Sequence, residues 1–180
     1  MSTTQDFYFS GQVLSTLFSV TNKLQVQGDS YLQDLTLRQM LAIPAIIHAP
    51  EGKATINHIA RSLGTTKQSA RQIVEAMEKK SYVSLEPSEQ DRRAINVTVT
   101  QEGRHAFSAC SERTDLFLAD LFAEFSTEEL EMFSRLLKKL YRFDGKEQNQ
   151  VAVPKGQPLR ETDLKLHHPN YLKRRTAHHA

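Results

Sequence analysis

The chain has 180 residues, 39% of them apolar and 24% charged, with a net charge of only +2. That composition is globular rather than disordered, and its near-neutral balance does not by itself argue for a polyanionic partner. Residues 1–145 carry 16 Lys and Arg against 18 Asp and Glu, a balance of −2, while residues 146–180 carry 7 against 3, a balance of +4. Residues 53–93 carry 8 against 5, or +3, so the positive charge is gathered in one internal segment and in the tail. The single cysteine, Cys110, allows no intramolecular disulfide. With no apolar run near the ~20 residues of a membrane span and no signal-peptide pattern at the start, a cytoplasmic protein without a membrane partner is the expectation.

Helical periodicity dominates the chain. Residues 8–28 place Val13, Leu14, Leu17, Phe18 and Leu24 at helical spacing. A second helix opens at Thr36, an N-cap with Gln39 as its capping-box partner. Pro44 interrupts that pattern and predicts a kink, because proline removes a backbone donor. Pro50 and Gly52 close the helix. Thr55 caps a short helix whose inner side is Ile56, Ile59, Ala60 and Leu63, and Gly64 ends it in a left-handed conformation. Thr65 or Thr66 caps the next helix, with Ile73, Val74 and Met77 facing inward.

A short strand at Val83-Ser84-Leu85 and an alternating strand over residues 95–100 follow, joined through a turn-rich stretch that carries Asp91, Arg92 and Arg93. Residues 100–125 read as one long helix, with Phe107, Cys110, Phe117, Leu118, Leu121 and Phe122 on its apolar side. Ser126 and Glu129 form another capping box for a last helix running to about Phe143, with Leu130, Phe133, Leu136, Leu137 and Leu140 on its buried side. Beyond Gly145 three prolines and the lack of a period predict an irregular linker or arm.

Helix, tight turn, helix and two-stranded hairpin is the winged helix-turn-helix order. In that arrangement the second helix fits the major groove, and an arginine at the hairpin tip suits the negative potential of a narrow minor groove. Lys67, Gln68, Ser69, Arg71 and Gln72 open the recognition helix. Gln and Arg are the side chains that pair bidentately with bases. Thr66 and Ser69 are better suited to phosphates, which position without specifying. A solvated polar face and a salt bridge between Asp91 and one of the two arginines are the structural alternatives.

The stretch "DRRAINVTVTQEG" resembles the wing signature of the MarR (multiple antibiotic resistance regulator) family, with Asp91, Arg93, Thr100 and Gly103 at its marked positions. "LTLRQMLAI" and "IARSLGTTKQSARQIVEAMEKKSYV" are similar to the family's opening helix and helix-turn-helix. Ser81 stands where the family has glycine, and Val99 where it has leucine.

The resemblance implies a mainly α fold, a winged helix-turn-helix with long N- and C-terminal dimerisation helices. Its parts are an N-terminal dimerisation helix (1–34), a DNA-binding lobe (35–103), C-terminal dimerisation helices (104–145) and a basic tail (146–180). It implies a homodimeric transcriptional regulator that reads a pseudo-palindromic operator on double-stranded DNA. Thr55, Thr65, Thr66, Lys67, Gln68, Ser69, Arg71, Gln72, Asp91, Arg92 and Arg93 are the expected DNA-binding residues. It further implies modulation by a small effector or stress signal, at a pocket near Pro44, Ile47, His48 and Phe107. A winged-helix interaction scaffold that has lost sequence-specific DNA binding is the rival reading.

Other chemistry finds little support. No phosphate loop, nucleophile elbow or paired-carboxylate pattern points to an enzyme, and no cofactor is implied. His58, His105 and the pairs His167-His168 and His178-His179 lack metal-ligand spacing. Cys110 has no second cysteine beside it to resolve a sulfenate and is expected to be a buried, inert thiol. The tail cluster Lys173, Arg174 and Arg175 has two readings, a solvated extension or a set of phosphate contacts that add affinity for any DNA. In the second, Leu159, Leu164, Leu166, Tyr171 and Leu172 dock the tail on the partner subunit.

Overall fold

The computed structural model describes residues 3–50, 54–87, 95–145 and 168–178. The chain runs α1 (Thr3–Leu32), α2 (Leu37–Ile47), β1 (Ala54–Thr55), α3 (Ile56–Ser62), α4 (Lys67–Lys79), β2 (Val83–Pro87), β3 (Ile95–Val99), α5 (Gln101–Ala109), α6 (Ser111–Leu121), α7 (Thr127–Tyr141) and α8 (Pro169–His178). A 3₁₀ turn over Arg142–Asp144 follows α7.

Local chemistry sets the helix ends. The Thr36 hydroxyl accepts from the Gln39 amide and the Gln39 side chain accepts from the Thr36 amide, so the capping box before α2 is complete. Ser126 and Glu129 repeat it before α7. Thr55 caps α3, Thr66 rather than Thr65 caps α4, and Thr100 caps α5. Pro44 lies inside α2, which continues to Ile47. Gly64 takes the expected left-handed conformation, at φ 61°.

The small sheet has the order β1-β3-β2 and is antiparallel throughout. Residues 54–55 thus add a third strand to the expected hairpin, pairing Ala54 with Val97. A two-residue strand has too short a pattern to announce itself in the sequence. β2 pairs Val83 with Val99 and Leu85 with Val97. The core lies between this sheet and the helices of the lobe. Ile43, Ile46, Ile59, Ala70, Val74, Met77, Val83, Val97 and Val99 are all buried there. Leu32, Leu35 and Cys110 join the same cluster, tying the end of α1 and the α5–α6 junction to the lobe.

Two expectations are corrected, and a third, the buried side of α7, is met by no described element of the chain itself. The stretch 100–125 is not one helix. It breaks at Cys110 between α5 and α6 and ends in a turn after Leu121. The apolar stripe continues across the break, which is why periodicity alone reads it as continuous. The expected buried side of α7 is not covered within the chain: Phe133, Leu136, Leu137 and Leu140 are exposed, as are Phe7, Tyr8, Phe9, Val13, Leu14 and Phe18 of α1. Finally, residues 169–178 of the tail form the helix α8, packed against α6, rather than an irregular arm.

Candidate nucleic-acid interface

α4 presents two faces. Ala70, Val74 and Met77 are buried in the lobe, and Lys67, Gln68, Arg71 and Gln72 are exposed. The Thr66 hydroxyl accepts from the Ser69 amide at 3.1 Å and donates to the Ser69 hydroxyl at 3.0 Å. Both side chains are thereby held at the helix start, where free amides and the helix dipole favour an anion. Arg71 lies 3.9 Å from Glu75 one turn on, a loose exposed pair that leaves its guanidinium able to turn outward. Thr65 is half-buried in the turn between α3 and α4.

Thr55 is engaged in capping α3, so its hydroxyl serves the lobe's own backbone. Asn57 and Arg61 are not among the residues expected from the sequence. Both are exposed on α3 and line a surface depression together with Ala60 and Thr65, beside the start of α4. Their exposed spacing of four on a helix whose other face is apolar is the signal that could have found them. Asp91, Arg92 and Arg93 lie outside the described residues.

The base of the wing explains two of its marked residues. The Thr100 hydroxyl donates to the Ser81 carbonyl at 2.6 Å and accepts from the Gly103 amide at 3.0 Å. Gly103 lies against the Tyr82 carbonyl, where a Cβ would come within 2.1 Å of the oxygen. Thr and Gly three residues apart are therefore what lets α5 start against the turn that follows α4. That turn is left-handed at Ser81, φ 59°, with the Tyr82 amide donating back to the Met77 carbonyl. Serine adopts the conformation that glycine would adopt with less strain.

The model of the MarR family matches residues 33–94, the lobe built around this geometry. That match is to the lobe, and it makes the chain similar to MarR-family proteins there. The chain is 24% identical over 145 residues to the transcriptional activatory protein BadR of Rhodopseudomonas palustris, covering 76% of this chain and 83% of that one. It is 27% identical over 84 residues to the regulator PapX of Escherichia coli, covering 47% of this chain and about half, 51%, of that protein. The fold matches the crystal structure of a MepR–DNA complex from S. aureus with a TM-score of 0.62 at 24% identity, over 71% of this chain and 95% of that one. The match over the lobe and these relatives support a transcriptional regulator of winged-helix type.

The expected effector-site residues divide between two elements. Pro44, half-buried, and Ile47, exposed, lie on α2 with His48 just past its end, while Phe107, half-buried, is on α5. α2 and α5 pack together. Cys110 is fully buried, and its thiol donates to the Leu32 carbonyl at 3.4 Å. Burial pushes that thiol above its ordinary pKa, as expected for an inert side chain. Among the described residues no group of three or more His, Cys, Asp or Glu could hold a metal ion, and no helix is long and apolar enough to cross a membrane.

Proposed function

We propose that the chain acts as a homodimer that reads a pseudo-palindromic operator, with α4 of each subunit in a major groove and the wing tip against the flanking backbone. The observation that carries this is the two-faced α4. Its apolar side anchors in the core while Lys67, Gln68, Arg71 and Gln72 are exposed along its first two turns. The DNA complex of MepR, similar in fold, supports the reading. The dimer is supported by the uncovered apolar faces of α1 and α7, from Phe7 to Phe18 and from Phe133 to Leu140. A small effector bound near Pro44, Ile47, His48 and Phe107 would act where α2 meets α5, the step from lobe to body.

Selection of bound fragments from genomic DNA, followed by footprinting, tests the central claim. Two protected half-sites about one helical turn apart are expected. Uniform protection without sequence preference would favour the scaffold reading. Sedimentation tests the dimer, and a stable folded monomer at micromolar concentration would remove it. Aromatic acids that shift neither thermal stability nor operator affinity would count against the effector site.

A further inference from the structure

The last turn of α6 contains no basic residue of its own, yet the carbonyls at a helix end need donors. Those of Leu118 and Asp120 accept from the Phe122 and Ala123 amides, and the tail meets the carbonyls of the turn that follows. The Arg175 guanidinium donates to the carbonyls of Phe122 and Phe125, on either side of the turn that leads into α7. Its neighbour Arg174 makes a two-pronged contact with Asp120, Nε to Oδ1 at 2.7 Å and Nη2 to Oδ2 at 3.2 Å. The Tyr31 hydroxyl donates to the same carboxylate at 2.9 Å, so Asp120 joins α1, α6 and α8. Just before α8 the His168 ring lies 2.8 Å from the buried carboxylate of Asp115. The body side of all these tail contacts consists of acceptors, and the tail side of His168, Arg174 and Arg175. The geometry is therefore opposed to the phosphate-contact reading for two of the three cations of the cluster Lys173, Arg174 and Arg175, which face their own chain.

We propose that the end of α6 is a guanidinium-receiving seat and that α8 is the strap built to fill it, fixing the direction in which α7 leaves the body. The strap acts on α7 through the turn. Phe125, whose carbonyl Arg175 holds, stacks on Phe133 of α7 with ring centroids 6.2 Å apart and packs edge-on against Phe122 at 5.8 Å. Holding both carbonyls restrains the one short connection between α6 and α7. Phe133 also belongs to the uncovered apolar face of α7, so the seat sets how that face is presented. The ligand class follows from the chemistry. A planar cation with several donors in one plane can serve two carbonyls or both oxygens of a carboxylate, whereas an ammonium has a single centre.

Hydrogen exchange on the full-length protein tests this, read at the amides of residues 122–130. Arg174→Glu and Arg175→Glu should each speed exchange there several-fold. Lys173→Glu makes the same change of charge on an exposed neighbour and should leave those amides as they are. Sedimentation of the same samples reports assembly separately, so loss of the strap and loss of a dimer are distinguishable. Unchanged exchange in both arginine variants would overturn the strap. So would an equal effect from Lys173→Glu, which would make the change one of bulk charge.

Discussion

The Thr100 hydroxyl donates a 2.6 Å hydrogen bond to the carbonyl of Ser81, 19 residues earlier in the chain. One side chain thus closes the turn after α4 and opens α5. Replacing Thr100 by Val should cost about 1–2 kcal/mol, mainly for the lost cap, since Ser81 is exposed to water. Urea unfolding measures it, and an unchanged midpoint would show that water replaces the hydroxyl without loss.

Gly103→Ala should be worse. The added carbon would stand 2.1 Å from the Tyr82 carbonyl oxygen, and that oxygen also accepts from the Thr100 amide at 3.1 Å. Backbone must shift on one side or the other, at a cost of about 1–3 kcal/mol. The reverse experiment lies one turn away. Ser81→Gly relieves a left-handed serine at φ 59° and should raise stability by up to about 1 kcal/mol.

Gln68→Ala should relax preference at one base pair of each half-site, by roughly 1–3 kcal/mol for a lost bidentate contact. Lys67→Ala should instead weaken binding to all sequences alike and flatten the salt slope, by about 0.9 per lost phosphate contact. Electrophoretic shifts on operator and scrambled DNA over a salt series separate the two. Identical behaviour of the variants and the parent would remove α4 from the interface.

Cys110 should resist thiol reagents at pH 8 until the protein unfolds, because burial holds its thiol protonated. Rapid labelling of the folded chain would contradict that placement.

Tyr31 should make the body sensitive to alkali. Its pKa is raised, first by the hydrogen bond to Asp120 and then by burial and the Asp120 charge. A raised pKa means that the neutral hydroxyl is the form the fold favours. Its contribution is whole below the ordinary tyrosine value, about 10, and is lost as pH rises through the raised value. Tyr31→Phe should therefore be less stable than the parent at neutral pH. The gap should narrow in thermal melts above about pH 10, and a constant gap would mean that the hydroxyl does not titrate in place.

The lobe could be read from the sequence almost element by element because its signals are local. A Thr with Gln or Ser three residues on, a glycine after Leu63, and apolar residues at helical spacing each act within one turn of chain. What could not be read depends on distant partners. β1 exists only because Val97 pairs with Ala54. The α5–α6 break sits at Cys110, which is packed against Leu32. α8 has a polar, weakly periodic sequence, and its docking on α6 rests on charges 50 or more residues apart. Of the candidate interface, the residues on α4 were readable from their position after a capping threonine. Asn57 and Arg61 carry only the weaker signal of exposed residues four apart, and the depression they share with Thr65 forms only once α3 and α4 are packed.

Residues 3–16 of α1 are all exposed, and a helix of that length is marginal in water without packing. In the proposed dimer its persistence would depend on abundance: a lower concentration of protein would leave more chains with a frayed start. Proteases cut frayed segments first. In the proposed dimer, cutting at this end should therefore fall as the protein's concentration rises.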